Sequence, residues 1–265
     1  MNGPLQKTFA FIILLLIPCF ILFNFSFFKS KRDLSCPFSP DFISEESVFS
    51  EKPFVFLLYS KEPLTNPEQN ISSILEQKYD NYRIVLMETK NIIPHVDNIK
   101  TTVAKANKSH LLTILPFDEE KPTIECFQQA LNSFKDSEIV VQLSCNDWLA
   151  SNMVLEKLNQ IYSSNPETWL TYSQYLEYPS YQKGLIDPYV KKMLRNRHTK
   201  NFPWLSSYLK TYYAGLFKQI KSDSRFGNKK PIVSESLDLY FLPLAEYSRY
   251  HTRFIEEVLY VHNTN

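Results

Sequence analysis

From Thr8 to Phe28 the chain is almost wholly apolar, close to the roughly 20 residues a helix needs to cross a bilayer, and this predicts a membrane anchor. A cleaved signal peptide is the rival reading, but the stretch is long for one and no small-x-small cleavage site follows it. Lys29, Lys31 and Arg32 outweigh Lys7 and the α-amine across the span, so the positive-inside rule puts the folded domain in the cytoplasm. The pattern divides the chain into an anchor over residues 1–30, a linker over 31–52 rich in Ser, Pro, Asp and Glu, and a folded domain over 53–265.

The domain opens on Phe54-Val55-Phe56-Leu57-Leu58-Tyr59, a continuous apolar run of strand length, as expected of a central parallel strand buried on both faces. Asn66-Pro67-Glu68-Gln69 reads as a helix start, with Ile71, Ile74 and Leu75 on the core face. Arg83 to Met87 is a second strand, and the strand, helix, strand order predicts a right-handed crossover with parallel pairing. Leu111 to Leu115 reads as a further strand. Ile124, Phe127, Leu131 and Phe134 recur at helical spacing before an apolar strand from Ile139 to Leu143. Beyond it, Val154, Leu155, Leu158, Ile161 and Tyr162 predict a helix, and Trp169 to Tyr175 a strand. Leu209, Tyr212, Tyr213, Leu216 and Ile220 predict one amphipathic helix, Leu237 to Tyr250 another, and Ile255 to His262 a closing strand.

Composition narrows the chemistry. A hydrophobic fraction of 44% over 265 residues is that of a folded core, and a net charge of +1 gives no bulk attraction to nucleic acid. Four glycines leave no Gly-rich phosphate loop. Cys19, Cys36, Cys126 and Cys145 show no paired spacing, which suits a reducing compartment better than a disulfide framework or a zinc site, and Cys145 reads as a buried, space-filling thiol.

The strand Ile139 to Leu143 empties into Ser144-Cys145-Asn146-Asp147-Trp148-Leu149, a polar turn holding one carboxylate. In open α/β sheets ligands bind outside the carboxyl ends of the strands, so this is where chemistry is expected. Together with Asn70 to Val85, Trp169 to Tyr175, Leu209-Lys210-Thr211 and Asp238 followed by Pro243 and Glu246, the turn resembles that of family 2 glycosyltransferases from about Phe54 onward. The resemblance implies an α/β GT-A fold, a Rossmann-like mixed sheet flanked by helices, behind one transmembrane helix. It also implies a nucleotide-sugar donor, and a divalent metal (Mn or Mg) held by acids of a D-x-D motif.

This chain departs from that pattern. Ser144 and Asn146 stand where acids are expected, and only Asp147 remains as a metal ligand; two neutral groups give up two negative charges that a hard cation prefers. The resemblance makes Tyr59, Glu88, Ser144, Asn146, Asp147 and Arg197 the donor-binding candidates and Asp238 the catalytic base, which would take the acceptor's proton. The basic run Lys191 to Lys200 is either a clamp for a diphosphate or a solvated loop near anionic lipid. Trp148 is expected to cap the motif as a core residue, and Glu246 to be structural. Two functions are therefore in view: a membrane-anchored glycosyltransferase with a weakened metal site, and a catalytically inactive GT-A scaffold serving as a binding module.

Overall fold

The computed structural model describes residues 51–60, 62–121, 123–184, 209–222, 244–245 and 247–265. The expected anchor, most of the linker, the basic run with Arg197, and Asp238 and Glu246 lie outside them. Among the described residues no helix is long and apolar enough to cross a membrane.

The first half is the predicted alternation with one addition, a helix at Val96–Lys105 that the hydrophobic pattern did not announce. Strand β1 (Phe54–Tyr59) is buried at every position, and helix α1 (Pro67–Leu75) turns Ile71, Ile74 and Leu75 into the core. Strand β2 (Tyr82–Glu88), helix α2 (Val96–Lys105), strand β3 (Leu112–Pro116), helix α3 (Thr123–Asn132) and strand β4 (Ile139–Ser144) follow. The four strands pair in parallel in the order β3-β2-β1-β4. Val55, Phe56 and Leu57 have no exposed surface, and burying each such side chain contributes about 1.5–3 kcal/mol, so the centre of this sheet is a main source of stability. At its amino ends Arg83 grips Glu138 with two bonds of 2.8 and 2.9 Å.

The second half is mixed. A two-residue strand β5 (Trp148–Leu149) precedes helix α4 (Val154–Ser164) and strand β6 (Leu170–Tyr178), to which β7 (Gln182–Lys183) is hairpinned. Strand β8 (Lys210–Tyr213) leads into helix α5 (Ala214–Ser222), and strand β9 (Thr252–Asn263) ends the chain. The full order is β3-β2-β1-β4-β8-β6-β9-β5. The single amphipathic helix expected from Leu209 is thus a strand followed by a helix. Lys210 to Tyr213 lie between β4 and β6, antiparallel to both and buried throughout, and ladder pairing there overrides their helical spacing. Thr211 also joins Tyr162 (2.8 Å) and Thr171 (2.6 Å) in a buried hydroxyl chain.

This order dictates a curl. β4 and β5 are separated by only three residues, a reach of about 3.3–3.6 Å each, yet they occupy distant places in the sheet path. The sheet must therefore bend so that β9, which pairs with β5 through Trp148↔Val261 and Leu149↔Tyr260, closes over the turn leaving β4.

Candidate functional site

The carboxyl ends of β1, β2 and β4 meet. Tyr59 lies beside Ser144 in register, the Cys145 amide donates to the Tyr59 carbonyl (3.1 Å), and Thr89 Oγ1 donates to the Ser60 carbonyl (2.8 Å). Tyr59 is buried, its ring packed against Phe117 and Phe127, so its place in the site is the floor. Glu88 and Ser144 are half-buried at this edge.

Asn146 spans the turn and the loop after β1. Its side-chain oxygen accepts from the Thr65 amide (2.9 Å) and its amide donates to the Pro63 carbonyl (3.0 Å). The residue standing in place of an acid therefore shapes the loop, using both halves of its amide in a way a carboxylate cannot match. From α1, buried Asn70 donates to the Ser144 carbonyl (2.9 Å) and the Asp147 carbonyl (2.5 Å), and so fixes the other side of the turn.

Asp147 points inward. It is 4% exposed; one carboxylate oxygen accepts from the Tyr260 hydroxyl, while the other accepts from the Asn263 amide (2.8 Å) and faces His262 Nδ1 at 3.1 Å. Asn263 in turn donates to Thr65 Oγ1 (2.9 Å), so β9, the β1 loop and the turn are bound into one unit. The bond to Asp147 raises the His262 pKa above the ordinary histidine value against the opposing effect of burial, and Glu177 and Glu62 add to the rise. Burial, with Asp147 nearby, pushes the Cys145 thiol far up, in keeping with a space-filling role.

A divalent ion does not fit this donor set. Both Asp147 oxygens are already engaged by protein donors, Asn146 is committed to the loop, and no group of three or more His, Cys, Asp or Glu among the described residues is placed to hold a metal. Tyr59, Ser144, Asn146 and Asp147 are brought together here, with Glu88 along the same edge; Arg197 and Asp238 lie outside the described residues. Sequence reasoning missed Asn70, Thr65, Tyr260, His262 and Asn263. Only contact across 70 to nearly 200 residues of chain makes them partners of the turn.

Trp148 is not a core residue. It is half-buried, stands edge-on to Tyr178 (centroids 5.1 Å), and borders an open pocket.

No protein-family model matches this chain, and no curated protein sequence matches it. Solved structures do. The architecture is a glycosyltransferase fold: over 80% of this chain it is similar to S. aureus TarS 1-349, with a TM-score of 0.53 and 12% identity. It is likewise similar to S. aureus TarS, at TM-score 0.57, 11% identity and 80% of this chain, and to TarS 1-349 in complex with UDP-GlcNAc, at TM-score 0.54 and 12% identity. The match spans 60% of the TarS 1-349 chain and 37% of TarS. At this identity the likeness establishes the fold.

Proposed function

We propose that this chain is a membrane-anchored GT-A enzyme, similar to family 2 glycosyltransferases, that moves a sugar from a nucleotide donor to an acceptor on the cytoplasmic side. The observation that carries the reading is the meeting of β1, β2 and β4 ends at one polar edge, in a fold shared with a protein crystallised with UDP-GlcNAc. The donor would lie along Tyr59, Glu88 and the Ser144–Asn146 turn. Asp238 would take the acceptor proton, and the positive charge for the departing diphosphate would come from Arg197 and its basic neighbours rather than from a tightly held metal. Isothermal titration of the full chain in detergent with UDP, GDP and their sugars, with and without manganese, tests it. Saturable heat with at least one nucleotide is expected; no heat with any of them refutes the reading.

The inactive-scaffold reading draws on the inward engagement of Asp147 and the loop-holding role of Asn146, which leave the turn without a free carboxylate. Donor-sugar hydrolysis separates the two. Turnover by the native chain excludes an inactive scaffold, whereas turnover only after Ser144→Asp with Asn146→Asp supports it.

A further inference from the structure

A pocket of about 230 Å³ opens on another side of the turn, between α1 and the segment after β5. Gln69, Ser72 and Glu76 form one wall, and Trp148, Ser151 and Asn152 stand in the other. The first wall follows from spacing: positions 69, 72 and 76 fall on one helical face, opposite the core face of Ile71, Ile74 and Leu75. The side chains of Gln69, Ser72, Glu76 and Asn152 bond to no other described residue, so four polar groups face one space with their hydrogen-bonding capacity open to solvent or to a ligand.

The lining selects a ligand class. It has a single carboxylate and no lysine, arginine or histidine, which opposes an anion, and it falls short of the oxygen shell a hard cation needs. Its polarity opposes a hydrocarbon, whose entry would strand these groups without water. A sugar ring suits it: hydroxyls that donate and accept at once, and a C–H face to lie against an aromatic ring.

The aromatic surface continues outward. Tyr178 stands edge-on to Trp148, and Tyr181 edge-on to Tyr178 with centroids 5.6 Å apart. Tyr181 is 62% exposed and holds a left-handed backbone at φ 52°, a conformation that side-chain-bearing residues rarely adopt. A hydrogen bond donated by the Tyr181 backbone N–H to the Glu177 carbonyl (2.6 Å) holds the turn there. A large aromatic ring is thus presented to solvent beside Tyr178.

We propose that this pocket is a saccharide subsite, taking one uncharged sugar residue against Trp148 between Gln69, Glu76 and Asn152, with the next residue of a glycan running over Tyr178 and Tyr181. It is separate from the strand-end edge and does not depend on the donor reading. The full chain, labelled with 5-fluorotryptophan and held in a zwitterionic detergent without a sugar headgroup, has three tryptophans, Trp148, Trp169 and Trp204, whose fluorine signals can be followed separately. Trp148→Phe assigns the relevant signal. Titration with methyl glycosides of glucose, galactose, mannose and N-acetylglucosamine, and with their disaccharides, is expected to shift the Trp148 signal saturably while that of buried Trp169 stays fixed. Gln69→Ala with Asn152→Ala, both exposed and outside the core, should weaken the response at least tenfold, and Tyr181→Ala should weaken the disaccharide more than the monosaccharide. Absence of a shift with every saccharide, a shift indifferent to the double variant, or an equal shift with inorganic phosphate overturns the proposal. A saccharide shift without nucleotide heat removes the donor reading and leaves this one standing; nucleotide heat without a saccharide shift does the reverse.

Discussion

Replacing Asp147 distinguishes a carboxylate that holds the fold from one that holds a ligand. Three donors converge on it: the Tyr260 hydroxyl, the Asn263 amide and His262 Nδ1, around a side chain that is 6% exposed. Asp147→Ala strands all three, and breaking a buried charged pair costs about 3–5 kcal/mol. His262, whose side chain is 32% exposed, can turn to water, which puts the expectation in the lower half of that range. Asp147→Asn keeps the shape but offers one acceptor where two were used. Its new N–H can be accommodated only toward the Tyr260 hydroxyl, which can reverse its role, so the loss is that of a charge-assisted bond, about 1.5–3 kcal/mol. Urea unfolding of the full chain in detergent, followed by tryptophan fluorescence, should lower the Asp147→Ala midpoint by roughly 1–2 M at a slope of about 2–3 kcal/mol/M. If Asp147→Ala unfolds within about 0.5 kcal/mol of the native chain yet abolishes nucleotide heat, the carboxylate is a ligand and the structural account fails.

Three other bonded groups carry expected outcomes of their own. Asn146→Ala releases the loop at Pro63 and Thr65 at a cost of about 1–2 kcal/mol, so hydrogen exchange at the Thr65 amide should accelerate and nucleotide affinity fall; an unchanged exchange rate contradicts the loop role. Gln77→Leu removes a buried amide that donates to the Ser73 and Ser151 carbonyls and accepts from the Leu155 amide, for a loss of about 2–4 kcal/mol by urea unfolding; a loss below about 0.5 kcal/mol would show those groups find other partners. Burial alone would raise the Glu138 carboxyl, but Arg83 and the Lys135 amide outweigh it and hold the group below the ordinary glutamate range. Its contribution is therefore present above the unfolded value and lost as pH falls through the folded one. Stability of the native chain should drop from about pH 5 downward, and Arg83→Met should flatten that limb; an identical acid limb in the variant would put the effect elsewhere.

Local pattern located most of the first half of the domain but not α2, whose core face is only Val96, Ile99 and Val103 among polar residues. Asn66-Pro67 starts α1 as read, although Asn66 makes no side-chain cap bond, and the run from Phe54 to Tyr59 is the central strand its unbroken apolar character predicts. Residues of the family resemblance acquire structural work: Gln77 pins the Ser151–Leu155 segment, the Tyr79 hydroxyl donates to the Lys52 carbonyl (2.7 Å), and the Tyr82 hydroxyl to the Ile74 carbonyl (3.2 Å). The second half was less legible because its strands pair out of chain order. Lys210 to Tyr213 carry a spacing compatible with a helix, and only the gap between β4 and β6 makes them a strand. Trp148 shows the same limit: its composition fits a core, while its position at the curled edge leaves it half-open beside a pocket.

Sequence alone therefore determined strands β1 to β4, helices α1 and α3, the parallel pairing of β1 with β2, and the polar turn at the end of β4, because each depends on spacing and polarity within a few turns of chain. Tertiary structure decided which groups reach that turn. Asp147 reads as a metal ligand until the curl of the sheet carries Tyr260, His262 and Asn263 onto it from more than 110 residues away. A carboxylate's role is set by the donors that reach it, and in this chain those donors arrive only when β9 folds over the turn.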